Sequence, residues 1–222
     1  MIILDKLTKS YMTTKGRHYL FKDLSLVIPS DKSIGLLGKN GAGKSTLLKI
    51  IGGIDQPDSG RVITKASISW PVGLAGGFQG SLTGRQNVRF VARLYVAEEH
   101  VAEKVKFVED FAEIGKYYDM PVKSYSSGMR ARLTFGLSMA FKFDYYLIDE
   151  VSGVGDASFR RKSAALIEER RQTSSFIMVT HNLKRLAKQC DVAVVLMNGQ
   201  AVFFDDVAEA IEVYEKHAHQ KS

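Results

Sequence analysis

Gly38-Lys39-Asn40-Gly41-Ala42-Gly43-Lys44-Ser45, followed by Thr46, is the segment from which the fold of this chain can be read. Before it runs Ser33-Ile34-Gly35-Leu36-Leu37, a short apolar segment. After it, Thr46-Leu47-Leu48-Lys49-Ile50-Ile51 carries apolar residues at helical spacing. Strand, glycine-rich turn and helix, in that order, are the context of a phosphate-binding loop. Glycines let the backbone curl until successive N–H groups converge into an anion nest. The helix N-terminus behind them adds a partial positive charge. In that setting Lys44 reaches the β- and γ-phosphates and the Ser45 hydroxyl ligates Mg²⁺. Gly38, Asn40, Gly41, Ala42, Gly43 and Thr46 complete the cradle, and the expected ligand is a nucleoside triphosphate.

Composition limits what surrounds that loop. A chain of 222 residues fits one α/β domain or two small ones and can bury a full core. The net charge of +7 would suit an acidic partner. The basic residues are dispersed, however, with only short clusters such as Arg130/Arg132 and Arg170-Arg171, so no nucleic-acid partner is expected. No apolar run is long enough to span a bilayer, and Asp5 and Lys6 interrupt the N-terminal Met1-Ile2-Ile3-Leu4. The expectation is a chain without a signal peptide that stays in the cytoplasm. Cys190, the single cysteine, has no intrachain partner and is expected to pack in a core beside the apolar run from Val192 to Met197.

Working outward, Pro29-Ser30-Asp31 turns into the strand that feeds the loop. Further strands are expected at Ile2-Ile3-Leu4 and, from its alternation, at Leu24-Ser25-Leu26-Val27-Ile28. The loop helix should end near Gly52-Gly53, and Pro57-Asp58-Ser59-Gly60 turns into the strand Arg61-Val62-Ile63. Antiparallel strands on both sides of the loop helix depart from a plain doubly wound pattern. From about Thr83 to Met120, Val88, Val91, Ala92 and Tyr95, then Val101, Val105, Val108 and Phe111, recur at helical spacing. This predicts a helical subdomain, about residues 83–143, inserted into a single domain of residues 1–222. Three more strands follow at Tyr145–Ile148, Ser175–Val179 and Val192–Met197, separated by helices starting at Asp156 and Asn182. Gly199 to Phe203 reads as a last strand and Val207 to Lys216 as a last helix. His217 and His219 fall in an unstructured tail and only superficially resemble a metal pair. The fold class is α/β with a mixed core sheet, antiparallel strands near the N-terminus and an inserted helical subdomain.

Asp149-Glu150 ends the apolar strand from Tyr145 to Ile148. Beside a phosphate loop, Asp149 is placed to hold Mg²⁺ opposite Ser45, and Glu150 to polarise an attacking water. Taken alone, the pair is equally an acidic strand end capping a turn. Tyr125-Ser126-Ser127-Gly128-Met129 lies upstream of that strand. Taken alone it is a serine-capped start for a helix carrying Leu133, Leu137 and Ala140.

In this order the motifs resemble the ATP-binding cassette (ABC) ATPases, whose signature LSGGQ precedes the Walker B carboxylates. Ser126 and Gly128 match that signature, whereas Tyr125, Ser127 and Met129 depart from it. The resemblance implies that Ser126 and Gly128 close on the γ-phosphate bound by a second copy of the chain, a role that suits a helix N-terminus. It also implies that Asp156 is the D-loop aspartate, that His181 is the switch histidine sensing the γ-phosphate, and that Tyr11 stacks on adenine, with Tyr19 as competitor. Gln79 is the Q-loop candidate, touching Mg²⁺ and the membrane partner. It stands closer to Leu82-Thr83-Gly84-Arg85 than is usual, which leaves its Mg²⁺ contact open.

The wording between the motifs is more specific. Ser69 to Gln79, Ser81 to Arg85 and Phe135 to Tyr146 are similar to the ATPase subunit of bacterial capsular polysaccharide exporters, a likeness running from Met1 to about Tyr214. It implies an ATP- and Mg²⁺-dependent dimer on the cytoplasmic side of the inner membrane. The dimer would be bound to a polytopic ABC-2 type permease and, through it, to periplasmic and outer-membrane export proteins. Importer, drug-exporter, O-antigen and teichoic acid cassettes share the motifs and stay open at this point, as does a non-transport ABC ATPase. A P-loop kinase or GTPase would leave Ser126 unexplained, and no guanine-reading Asn-Lys-x-Asp is present.

Overall fold

The computed structural model describes residues 1–73, 77–149 and 156–219. The described residues divide into two compact units, one within 1–71, 143–150 and 173–222, the other within 72–142 and 151–172.

The first unit holds two sheets. β1 (Ile2–Thr13), β2 (Gly16–Ile28) and β4 (Ser59–Thr64) form an antiparallel sheet in the order β2-β1-β4. β3 (Ile34–Gly38), β5 (Ile68–Pro71), β6 (Tyr145–Asp149), β7 (Ser175–Val179), β8 (Val192–Met197) and β9 (Gln200–Phe204) form the other, in the order β5-β6-β7-β3-β8-β9. All its pairings are parallel except β8 with β9. Asn198-Gly199 explains the exception. Both residues take positive φ, 51° and 76°, as a two-residue hairpin turn with the native twist demands. The sheet is therefore mixed, as expected.

Strands buried on both faces read as continuous apolar runs, and β3, β7 and β8 do. The two faces still alternate with the pleat. Ile34, Leu36, Val192, Val194 and Leu196 enter one core with the inner residues of β1 and β2 and with Leu47, Leu48, Ile50 and Ile51 of α1 (Lys44–Ile51). Leu37, Ala193 and Val195 enter a smaller core under α6 (Leu183–Gln189) and α7 (Val207–His219), closed by Leu186, Val207 and Ala210. Half-buried Cys190 packs against that smaller core, in the role expected of it.

The second unit is built from α2 (Gly84–Tyr95), α3 (Glu98–Ala112), α4 (Ser127–Met139) and α5 (Ala157–Arg171), with 3₁₀ turns at Gly115–Asp119 and Val122–Ser124. Thr83 starts α2 with a capping box. Its hydroxyl accepts from the Gln86 N–H, and the Gln86 side chain accepts from the Thr83 N–H. Phe111, Phe135 and Phe159, from α3, α4 and α5, meet with ring centroids 5.4–6.0 Å apart.

Three expectations need correction. β1 and β2 are far longer than Ile2–Leu4 and Leu24–Ile28, and extend as one hairpin through the polar residues from Asp5 to Asp23. Their alternation is broken by bulges, which hides it from a period-two reading. β5, a short strand parallel to β6, was not expected from the sequence. His217 lies inside α7, whose helix continues to His219 beyond the expected end at Lys216.

Candidate nucleotide site

The site is built where parallel strands end. β3 lies between β7 and β8, and the glycine-rich loop leaves its carboxyl end. Asp149 ends β6 opposite Val179 of β7, and His181 follows β7, so all three arrive at the same edge of the sheet. Ligands of open α/β sheets bind at that edge. A cavity of about 440 Å³ occupies it, lined by Tyr11, Asn40, Gly41, Gly43, Lys44, Ser45, Thr46, Asp149 and His181. That volume lies in the range of small-molecule sites. Leu20 and Val179 complete the lining and carry no motif signal.

The start of α1 differs locally from those of α2, α4, α5 and α6, while α3 also lacks a side-chain cap but carries Glu98 and Glu99 in its first turn. Ser126, Asp156 and Asn182 cap α4, α5 and α6 with side-chain oxygens, as Thr83 caps α2. α1 has no such cap. Gly43 holds the N-cap position at φ 93°, with no side-chain acceptor and no acidic residue in the first turn. The start of α1 is thus a positive helix end with no side-chain acceptor, a setting that favours an anionic ligand. A Cβ on Gly41, at φ 83°, would point into open space, so the backbone there is bare toward the cavity. The Lys44 ammonium donates to the carbonyl oxygens of Gly38 at 2.6 Å and Lys39 at 3.0 Å. These bonds keep the cation inside the loop instead of out in solvent.

Most of the residues singled out by sequence thus line one cavity. Gly38 ends β3, and half-buried Ala42 packs against the main core, so both shape the loop from beneath. Tyr11 lines the cavity. Tyr19, its competitor, pairs with Ser10 on the neighbouring strand and carries Lys22 Nζ 5.8 Å from its ring centroid. Glu150 lies outside the described residues.

The remaining candidates belong to the second unit. Ser126 is the N-cap of α4, its Oγ accepting from the Met129 N–H at 3.2 Å. That bond leaves the Gly128 N–H uncommitted to the cap, and an added Cβ on Gly128 would meet nothing closer than Ser126 Oγ at 3.9 Å. Asp156 caps α5 through the Phe159 N–H at 2.9 Å and pairs with Arg132 of α4 at 2.8 Å. The hydrogen bond from the Phe159 N–H is the chief cause holding its carboxyl below the ordinary value. Arg132 also lies 4.5 Å from the Phe159 ring centroid and 3.7 Å from Glu113, joining the starts of the two helices that carry Gly128 and Asp156. The Gln79 backbone is clamped by buried Asn87, which accepts from its N–H at 2.8 Å and donates to its carbonyl at 3.1 Å, while residue 79 itself stays exposed.

The residues fit a nucleotide with a divalent ion. Among the described residues no cluster of three or more His, Cys, Asp or Glu is available for a resident metal. One hydroxyl and one carboxylate, Ser45 and Asp149, are instead a donor set suited to Mg²⁺ shared with substrate phosphates.

The family model for ABC transporters matches residues 21–153. The polysialic acid transport ATP-binding protein KpsT of Escherichia coli is 62% identical over 98% of this chain and 97% of its own. The capsule polysaccharide export ATP-binding protein CtrD of Neisseria meningitidis serogroup B is 44% identical over 96% and 98%. Among solved structures, the dimeric post-hydrolysis state of the ATP-binding cassette MJ0796, bound to ADP and Pi, superposes with a TM-score of 0.73. It covers 90% of this chain and 96% of its own at 21% identity, which speaks to fold alone. With the phosphate loop, the strand-end aspartate and histidine and these relatives in agreement, the chain belongs to the ABC transporter family, in the branch of ATP-binding proteins that includes KpsT and CtrD.

Proposed function

We propose that this chain is the ATP-hydrolysing subunit of an exporter that moves capsular polysaccharide across the inner membrane, working as a dimer of cassettes on a separate ABC-2 type permease. The observation that carries the ATPase reading is the cavity joining the uncapped start of α1 to Lys44, Ser45, Asp149 and His181. The cargo reading is supported by relatives whose names state polysialic acid transport and capsule polysaccharide export, matched over nearly their whole length.

In this reading residues 1–222 are one cassette and residues 83–143 its helical subdomain. The α1 N-terminus and Lys44 grip the β- and γ-phosphates, and Tyr11 takes the adenine. Mg²⁺, for which Ser45 and Asp149 are the candidate ligands, would neutralise charge on those phosphates. Glu150 orients and deprotonates the attacking water, and His181 contacts the γ-phosphate. Ser126, Gly128 and Asp156 act from the second copy, where the N-terminus of α4 offers the γ-phosphate another set of N–H donors. Closing two copies over ATP changes the dimer's shape only as far as ATP binds the closed state more tightly, and that difference drives the permease.

Among the described residues no helix is long and apolar enough to cross a membrane. In this reading the permease is what holds the chain at the membrane. α2 supports this. Phe90 and Leu94, a turn apart, are 61% and 67% exposed, and Leu82 just before the helix is exposed as well. Glu150→Gln is the test of the reaction. It should trap an ATP-bound dimer with hydrolysis lost, and unchanged turnover would sink the assignment.

A further inference from the structure

Lys9 is a buried cation that the phosphate chemistry does not use. It is 8% exposed, and its ammonium donates to Asp55 Oδ1 at 2.7 Å and to the Gln56 carbonyl at 2.6 Å. The other Asp55 oxygen faces Tyr11, whose hydroxyl lies 3.4 Å from Oδ2. Lys9 Nζ also stands over the Tyr11 ring, 5.4 Å from its centroid.

Asp55 is in turn fixed to the far end of α1. Its N–H and that of Ile54 both donate to the Lys49 carbonyl, at 3.2 and 2.9 Å. Two more bonds tie β1 to the same corner. Ser10 Oγ donates to Asp58 Oδ2 at 2.5 Å, and the Asp58 N–H donates to the Thr8 carbonyl at 2.8 Å. The helix whose N-terminus forms the phosphate cradle therefore carries, at its C-terminal end, the carboxylate that contacts Tyr11.

Burying an ammonium is costly unless it is paired and hydrogen-bonded. Both partners record that pairing. Hydrogen bonding to Asp55 raises Lys9, and hydrogen bonding to Lys9 lowers Asp55. Tyr11 itself is 45% exposed on a solvent-facing hairpin, where an untethered side chain exchanges rotamers freely. A stacking surface that must be ordered on binding loses affinity to that ordering.

We propose that the Lys9–Asp55 pair is a positioning device for the base half of the nucleotide site, fixing the Tyr11 ring relative to α1 so that adenine meets a platform already in place. The inference rests on the reading of Tyr11 as the adenine-stacking residue. Its consequence is that base recognition and phosphate recognition are wired to opposite ends of one helix.

The test measures Kd for ATP and for inorganic tripolyphosphate on the full chain with Mg²⁺. The variants are Tyr11→Ala, Asp55→Asn, Lys9→Met, Lys9→Arg and the double variant Tyr11→Ala/Asp55→Asn. Asp55→Asn and Lys9→Met should raise the ATP Kd by up to about tenfold, the scale of one stacked base. Tripolyphosphate affinity should stay within about twofold, and Lys9→Arg should recover most of the loss. In the Tyr11→Ala background Asp55→Asn should be silent, because the two act as one unit. An equal loss for tripolyphosphate, or a full Asp55→Asn effect without Tyr11, would show general damage to the fold and overturn the proposal. Weakening by Tyr11→Ala but not by Asp55→Asn overturns the positioning role alone. No effect of Tyr11→Ala on ATP overturns the platform reading itself.

Discussion

Arg85 shows how one side chain organises the second unit. Its guanidinium donates twice to Glu109, at 2.6 and 3.0 Å, and twice to Asp119, at 2.6 and 3.0 Å, while lying 4.7 Å from the Tyr118 ring centroid. A lysine can reproduce neither fork, so Arg85→Lys should destabilise by about 1 kcal/mol, a figure kept low because these groups are partly solvated. Thermal or urea unfolding checks it. The pH dependence has a definite sign. Arg85 holds the Asp119 carboxyl below its ordinary value of 3.8. The contribution of that carboxylate is therefore complete above pH 3.8 and lost as pH falls through the lower folded value. The gap between wild type and Arg85→Lys should be constant near neutrality and narrow in acid. Gly60 sets a limit of another kind. It sits at φ 83°, and a Cβ there would lie 2.5 Å from the Asp5 carbonyl oxygen and closer still to that of Lys6. Gly60→Ala combines strain with a backbone clash between β1 and β4 and should cost about 2 kcal/mol or more in the same assay.

At the scale of elements, legibility followed the strength of local signals. α2 could be read from the helical spacing of Val88, Val91, Ala92 and Tyr95, α4 from Ser126 as its cap, and α5 and α6 from starts at Asp156 and Asn182, where the structure places their caps. The middle of the β1–β2 hairpin could not, because Lys6 and Asp23 take positive φ at its bulges and because the buried positions there include the polar Thr8 and Lys9, which give no apolar alternation. The Lys9–Asp55 contact joins residues far apart in the chain through the shifted register of β1 against β4, and no spacing rule points to it. Leu20 and Val179 were hidden for the same reason. Each looks like ordinary strand filling until the sheets bring it to the cavity. Exposure, likewise invisible in sequence, makes the prediction for α2. Phe90 and Leu94 contribute little to a core they do not enter, so Phe90→Asp/Leu94→Asp should leave unfolding within about 0.5 kcal/mol of wild type. If α2 meets the permease, the same variant should lose co-purification with the membrane partner while the isolated chain keeps its ATP affinity. Retained co-purification would remove α2 from that interface.

For the molecule as a whole, the proposed reaction requires that each nucleotide be shared between copies, with Lys44 and Ser45 from one and Ser126 and Gly128 from the other. Gly128→Asp is suited to asking whether this is so. A Cβ at Gly128 has open space, and a carboxylate in the first turn of α4 is welcome to the helix dipole, so the fold should tolerate the change or gain slightly. A phosphate brought to that turn would instead meet a like charge. Lys44→Ala removes the cation from the loop at the opposite side of the proposed interface. Homodimers of either variant should occlude no ATP. A mixed dimer holding one copy of each places both lesions in a single shared site and leaves the other intact, so it should occlude one ATP per dimer. Were each site built within one copy, both sites of the mixed dimer would be damaged and none would be occluded. The measurement is ATP retained per tagged, purified mixed dimer. A value indistinguishable from the homodimers would remove Gly128 and Ser126 from the nucleotide site of the neighbouring copy.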